Sequence, residues 1–399
     1  MKTMNQFLTL ALLSLFSFAS IAEVNFQGFA SFVGGATLDK DDSYRDAVQD
    51  ANEDQIDDAV DYYENKLEFD KDSLFALQAS SDLGDGLSIT GQIIARGIEN
   101  YKPEFEWMYL SYNLTPTLNA KMGRIRTPFY MFSEYLEVGY TYHWIRPPYE
   151  LYAAQVTNMD GVSFLYNMPI GSIDSQYQIV VGAREGFSED PSTSKSDYKP
   201  LIGANAQFEM GNYVAKLIYT QGNIDFNSTS LDKATATFTA DPTFQAKHAS
   251  ILDSEVIFAG AALDMTFNSL RILLEYSFID FEDVIFAGDE TRTLASLAYT
   301  LGNNVIHYSI SGNKKEGNED LVNELNPATA NTDLGGGITM AFVAGATAAG
   351  INSDVTTHTI GLRHDFHDSA AAKVEIISSE DADKDTEATL LRFGVDMLF

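Results

Sequence analysis

Along most of the chain, apolar residues recur at every second position. Segment 386–399, TEATLLRFGVDMLF, shows the pattern: Leu391, Phe393, Val395, Met397 and Phe399 share one face, and Arg392, Gly394 and Asp396 share the other. A period of two marks a strand with one apolar face. The same pattern predicts strands at 24–34, 65–82, 87–99, 103–114, 118–126 and 159–168. It continues at 173–186, 198–209, 213–224, 251–267 and 270–282, and then at 289–301, 304–315, 356–366, 370–380 and 386–399. In 173–186, Tyr177, Ile179, Val181 and Ala183 oppose Gln176, Gln178, Gly182 and Arg184; in 270–282, Leu270, Ile272, Leu274, Tyr276 and Phe278 oppose Arg271 and Glu275. The strands number sixteen, an even count, as a closed antiparallel barrel requires.

The lengths of the connections sort by parity. One set is short: 83–86, 115–117, 169–172, 210–212, 268–269, 302–303 and 367–369. The alternating set is mostly long: 35–64, 127–158, 187–197, 225–250 and 316–355, with 283–288 and 381–385 of moderate length and 100–102 short. A transmembrane barrel keeps short turns on the periplasmic side and longer loops outside, whereas a soluble sandwich has no reason to sort loops by parity. The expected fold is therefore all-β, a sixteen-strand transmembrane antiparallel barrel with both ends of the sheet on the periplasmic side.

The first residues, MKTMNQFLTLALLSLFSFASIA, read as an export signal: Lys2, an apolar core from Phe7 to Phe18, and small residues Ser20 and Ala22 before a cleavage point. A membrane anchor is the alternative, but the stretch is short for one. Cleavage after residue 22 leaves 23–399 as one barrel domain. The chain has no cysteine, so closure of the sheet must stand in for disulfides. The formal charge of −32, from 57 acidic and 25 basic residues, excludes a nucleic-acid partner and permits divalent cations. The 26 Phe and 20 Tyr exclude a solvated acidic coil.

Connection 127–158 departs from the rest. Its stretch RTPFYMFSEYLEVGYTYHWIRPPYELY carries Phe129, Tyr130, Phe132, Tyr135, Tyr140, Tyr142, Trp144, Tyr149 and Tyr152, too many aromatics for a solvated loop. The inside of the barrel is the natural place for them to pack. Pro147 and Pro148 stiffen the return limb, and Arg146 before them is read as an anchor to a wall carboxylate, with contact to solute as the alternative. The sixteen strands, this third loop and the terminal Phe resemble the trimeric general porins of Gram-negative outer membranes. The stretch from Gly123 to Tyr152 is similar to porin-like proteins of marine and related Gammaproteobacteria.

That resemblance implies a third loop folded into the lumen as a constriction and a homotrimer in the cell outer membrane, in contact with lipopolysaccharide and outer-membrane lipids. It also implies passive diffusion of small hydrophilic solutes and ions, with no catalytic step. By region, Glu134 and Glu137 match the constriction-loop carboxylates. Arg96, Arg184, Lys216, Arg271, Arg363 and Arg392 are the basic candidates on inward faces, with Arg124 and Arg126 where the fifth strand enters the loop. Opposed charges across a narrow wet gap select ions by sign; pairing with lumen carboxylates such as Glu275 or Asp365 is the alternative for each arginine.

The first loop, 35–64, is strongly acidic. Asp50, Asn52 and Asp54 have the spacing of a calcium loop, although Gln55 stands where glycine is needed and Asp61 where a bidentate Glu is usual. A solvated acidic loop and a Ca2+-bridged contact with lipopolysaccharide or a neighbouring subunit both fit. His364, Asp365 and His367 sit at a strand end at the barrel rim. No phosphate loop, nucleophile elbow or zinc spacing occurs, so the reading is not an enzyme. A substrate-preferring channel for small anions, or a barrel serving as platform for an adhesin or receptor, remain the alternatives to a diffusion channel. For ion selectivity, the acidic mouth is expected to enrich cations at low salt only, above an eyelet of mixed sign.

Overall fold

The computed structural model describes residues 23–38, 63–152, 156–185, 195–227, 236, 238–248, 253–281, 284–285, 287–332, 334 and 339–399. Residues 1–22, expected to be an export signal, and the acidic stretch with Asp50, Asn52 and Asp54 lie outside the described residues.

Period-two patterning produces sixteen strands among the described residues. They are β1 (Val24–Thr37), β2 (Leu74–Gly84), β3 (Leu87–Arg96), β4 (Pro103–Asn113), β5 (Leu118–Arg126), β6 (Asn158–Ile170), β7 (Ile173–Arg184) and β8 (Lys195–Met210), followed by β9 (Tyr213–Asn227), β10 (Ser254–Phe267), β11 (Leu270–Asp280), β12 (Gly288–Leu301), β13 (Asn304–Gly317), β14 (Ser353–His367), β15 (Ala370–Asp381) and β16 (Thr386–Leu398). Each pairs antiparallel with its sequence neighbours, and β1 pairs with β16, so the sheet closes without an edge. The seam runs from Phe29↔Leu398 to Thr37↔Leu390. Closure leaves no row of unpaired backbone groups.

Connections alternate in length as expected. The β2–β3 turn turns on Gly84, Asp85 and Gly86, with φ of 88°, 51° and 81°. These are left-handed conformations that glycine adopts without steric cost.

The strand expected over 65–82 begins only at Leu74. Before it, the chain bends back over β1, where Glu68 forms a bridge with Gly35 and Phe69 packs edge-on against Phe393 at 6.1 Å. Acidic and basic side chains of 68–72 pair locally instead of alternating, as in the Lys71–Glu68 contact at 3.7 Å.

One row of each strand is exposed and apolar: Phe75 and Leu77 on β2, Phe164 and Tyr166 on β6, Ile179 and Val181 on β7, Leu274 and Tyr276 on β11, Ile360 and Leu362 on β14. Register keeps the row continuous, as in Phe164↔Ile179 and Val162↔Val181. The opposite row is buried or polar. Three connections, two of them long, build a second small core from Phe238, Phe244, Ile285, Leu321, Leu325, Met340 and Ala344. It contains the short helix Pro242–His248 and the helix Met340–Ala349, the latter formed by the small-residue run of the connection that follows β13. Asp241 ties these connections together. Its carboxylate accepts from Phe244 N (3.2 Å), Asn326 N (2.7 Å) and Thr329 Oγ1 (3.1 Å).

Candidate functional site

The connection 127–157 leaves β5 and returns to β6 through a narrow neck, where Thr127 N donates to Thr157 O at 3.0 Å. Its aromatics then pack on one another and on the buried rows of β9–β12. Phe129 lies 4.9 Å from Phe258, Tyr130 5.1 Å from Tyr152, and Phe132 stacks on Tyr152 at 5.8 Å. Ile218, Ala262, Leu273 and Leu294 complete this cluster from the wall. Burying such rings removes apolar surface from water at about 25 cal/mol per Å², which explains why so aromatic a connection takes a fixed shape.

Polar anchors follow the same path. Met131 N donates to Glu275 Oε1 (2.8 Å) and Tyr152 OH to Glu275 Oε2. Lys216 Nζ donates to Tyr130 O at 2.8 Å. Trp144 Nε1 donates to Ser309 Oγ at 2.8 Å, and Ile145 N to Glu375 Oε1 at 2.8 Å. Lys373 Nζ serves the carbonyls of Gly139 (2.7 Å) and Trp144 (2.6 Å). Glu150 accepts from Ser311 Oγ (2.8 Å) and Thr357 Oγ1 (2.6 Å). Arg292, with no exposed surface, reaches Glu290, Tyr130 OH (3.1 Å) and Leu151 O (3.4 Å). The partners lie on β9 and β11–β15, far from the strands that the connection joins.

The two acids read from the sequence have different surroundings. Glu134 is exposed on a short turn, 133–135. Glu137 accepts from Arg96 Nε (3.1 Å) and Nη2 (2.9 Å). Burial alone would raise the Glu137 carboxyl; the charges of Arg96, Arg146 and Arg126 outweigh it and hold it down at about 2. Arg96 also bonds Glu106 Oε2 (2.7 Å) and Glu104, and Arg126 bonds Glu106 from the other side. Arg96, Arg126, Glu106 and Glu137 thus form one ion-pair network at the wall.

Arg363 donates to the carbonyls of Tyr140 (2.6 Å) and Tyr142 (2.5 Å) and to Asp365 (2.7 Å). Arg271 is bidentate to Asp264 (2.9 and 2.6 Å) and lies 5.7 Å from the Phe132 ring. Arg392 bridges Asp72 (3.0 Å) and Glu375 (2.9 Å). Arg146 does anchor, but through the carbonyls of Glu137 (3.2 Å) and Asp72 (2.7 Å) rather than through a carboxylate. Arg184 ends β7, opposite Tyr198.

Arg124 bonds Asp160 at 3.0 and 3.1 Å. Unbroken register puts this pair in the row of Met122, Phe164 and Ile179, the exposed outer row, opposite to Ile125 and Met159. Arg124, at the entry to the loop, therefore stands in the outer row.

Sequence reasoning missed Glu150, Glu290, Arg292, Lys373 and Glu375 as partners of the connection. Alternation shows that they share a row; nothing local shows what they meet, since Ile145 and Glu375 are 230 positions apart. Beside the return limb lies a cavity of ≈ 250 Å³ lined by Asp72, Arg96, Glu137, Arg146, Glu150 and Arg392, three acids facing three arginines. Among the described residues no group of His, Cys, Asp and Glu is arranged to hold a metal ion.

No known family profile matches the chain, and no curated protein matches it in sequence. Solved structures do match in fold. A Salmonella typhi OmpF in complex with daunomycin superposes with a TM-score of 0.56 at 10% identity, covering 95% of this chain and 98% of that one. The anion-selective porin from Comamonas acidovorans gives 0.54 at 12%, covering 95% and 100%. Pseudomonas putida OprB gives 0.55 at 10%, covering 94% of each. At such identities the likeness is one of fold, and the chain is a sixteen-stranded antiparallel barrel of the kind that porins have.

Proposed function

We propose that the protein is a passive diffusion channel of the outer membrane for small hydrophilic solutes and ions, with no catalytic step. One observation carries the reading: among the described residues, connection 127–157 is bonded mainly to the inward rows of β9 and β11–β15, and the inward amides Gln27, Gln78, Gln176 and Gln207 on the opposite side stay at least half-exposed. On this reading it is a constriction loop inside the lumen, and solutes pass between it and the uncovered wall. The continuous exposed apolar row suits lipid on the outside, and a closed sheet satisfies every backbone group there.

Glu134, exposed on the loop, faces the passage, with Arg271 and Lys216 as the nearby wall cations. Arg96, Glu137, Arg126 and Arg363 hold the loop. The outer-row pair Arg124–Asp160 lies near the long-loop end, where headgroups and lipopolysaccharide would meet it. A homotrimer is part of the proposal, resting on the general likeness to porin barrels.

Single-channel recording in a planar bilayer is the test. A steady ohmic current with modest ion preference is expected, and absence of conductance removes the reading. Native mass measurement giving only monomer removes the trimer.

A further inference from the structure

The inward rows divide into two unlike halves. On β9–β16 they are charged, and Lys216, Glu275, Arg292, Arg363, Lys373 and Glu375 are all engaged with the loop. On β1–β8, Arg96, Glu104, Glu106 and Arg126 form an ion-pair network, and Arg184 ends β7, on the side of the long connections; between these and the short turns, Lys121 is the one charged inward residue among the described residues, and it is held 5.0 Å from the Tyr109 ring. Amides take the place of charges there. Gln27, Gln78, Gln92 and Trp107 are successive cross-strand partners. Farther round, Gln176 pairs with Gln207 and Gln178 with Asn205.

These side chains are ordered by one another. Gln78 Oε1 accepts from both Gln92 Nε2 and Trp107 Nε1, each at 3.3 Å. Asn205 Nδ2 donates to Gln178 Oε1 at 2.7 Å, and Gln178 Nε2 to Ser163 Oγ at 2.9 Å. Capacity is left over, since Gln92 Oε1 and Asn119 Oδ1 are buried without a partner. Gln27 and Gln176 are exposed, and Gln78, Trp107, Asn205 and Gln207 are half-exposed.

We propose that this uncovered half of the wall is a track for neutral polyhydroxylated solutes of sugar size, which the channel passes in preference to ions of equal size. The inference rests on the diffusion-channel reading and names its substrate class. An amide offers donors and acceptors together, as a hydroxyl does. A polyol entering the passage therefore exchanges bonds to water for bonds to the wall. An ion gives up hydration there and, between that network and the short turns, meets no fixed charge but Lys121.

Swelling of proteoliposomes carrying the full protein, in glucose, gluconate or glucosamine, tests the proposal, since the three solutes are nearly equal in size. Glucose is expected to enter several times faster than either charged relative. Replacing two amides by side chains of similar volume, Gln78→Met with Gln207→Met, should lower the glucose-to-gluconate ratio by roughly fivefold, the loss of two modest hydrogen bonds. A heat-dependent shift on electrophoresis checks that the variant barrel is closed. Equal entry of the three solutes into wild-type vesicles overturns the track, as does an unchanged ratio in the closed double variant. No swelling in any solute together with no bilayer current overturns the channel itself, and the track with it.

Discussion

Glu137→Gln is the most exacting perturbation of the loop's attachment. The carboxylate is 17% exposed and sits against Arg96, with Arg126 and Arg146 behind it and Glu104 and Glu106 sharing the same guanidinium. Its pKa of about 2 lies below the ordinary 4.5. The gap corresponds to about 3 kcal/mol favouring the charged, attached form. For a depressed carboxyl this stabilisation is complete above pH 4.5 and is lost as pH falls toward 2. Other anchors remain in acid, among them Lys373 on Gly139 O and Trp144 O and Arg363 on Tyr140 O and Tyr142 O. The expected event is therefore local loosening around 136–146, not extraction of the loop. Gln fixes the neutral form at every pH, so the loosened state should gain roughly a hundredfold in population at neutral pH. Open-channel current noise reads this directly. Wild type should be quiet at pH 7 and grow noisy between pH 4.5 and 2, whereas Glu137→Gln should be noisy at pH 7 and flat through that window. A variant as quiet as wild type at pH 7 would refute the argument that the Arg96–Glu137 contact holds the loop.

Three further outcomes are expected. Glu134→Gln removes an exposed charge without a structural role; reversal potentials in a salt gradient should shift toward anions, with stability within about 0.5 kcal/mol of wild type. If deletion of residues 39–61 moves the potential and Glu134→Gln does not, the acidic first loop is the filter instead. Gly161→Ala places a Cβ 2.3 Å from Val181 O and 2.6 Å from Gly182 Cα, backbone that cannot swing away; a loss of about 1–3 kcal/mol in urea refolding is expected. Asp241→Ala removes the cap of helix Pro242–His248 and its bonds to 326–329, costing the small external core about 1–2 kcal/mol; faster proteolytic nicking there, with an unchanged barrel, is the readout.

Strand count, loop parity and the outer row were legible because each depends on a period of two within a dozen residues. The failure at 65–73 shows the limit of that signal: Phe69 is apolar for the sake of Phe393, more than 300 positions away, and not for a place in a row. Arg124 shows a second limit. Its place where the strand enters the loop does not say which row it joins, and register with Asp160 puts it in the outer row.

The aromatic content of 127–158 by itself required burial, and the chain's alternation by itself required a closed sheet. Only the tertiary structure decided against which part of the wall the aromatics lie. Closure sets β11–β15 opposite the β5–β6 connection and brings Ile145 to Glu375 and Met131 to Glu275 across 230 and 144 positions. It thereby brings charged residues of β11 and β15 to the loop. Periodicity is a local property that any strand states alone; which inward row is covered depends on the order and register of all sixteen, and on a loop that has no period.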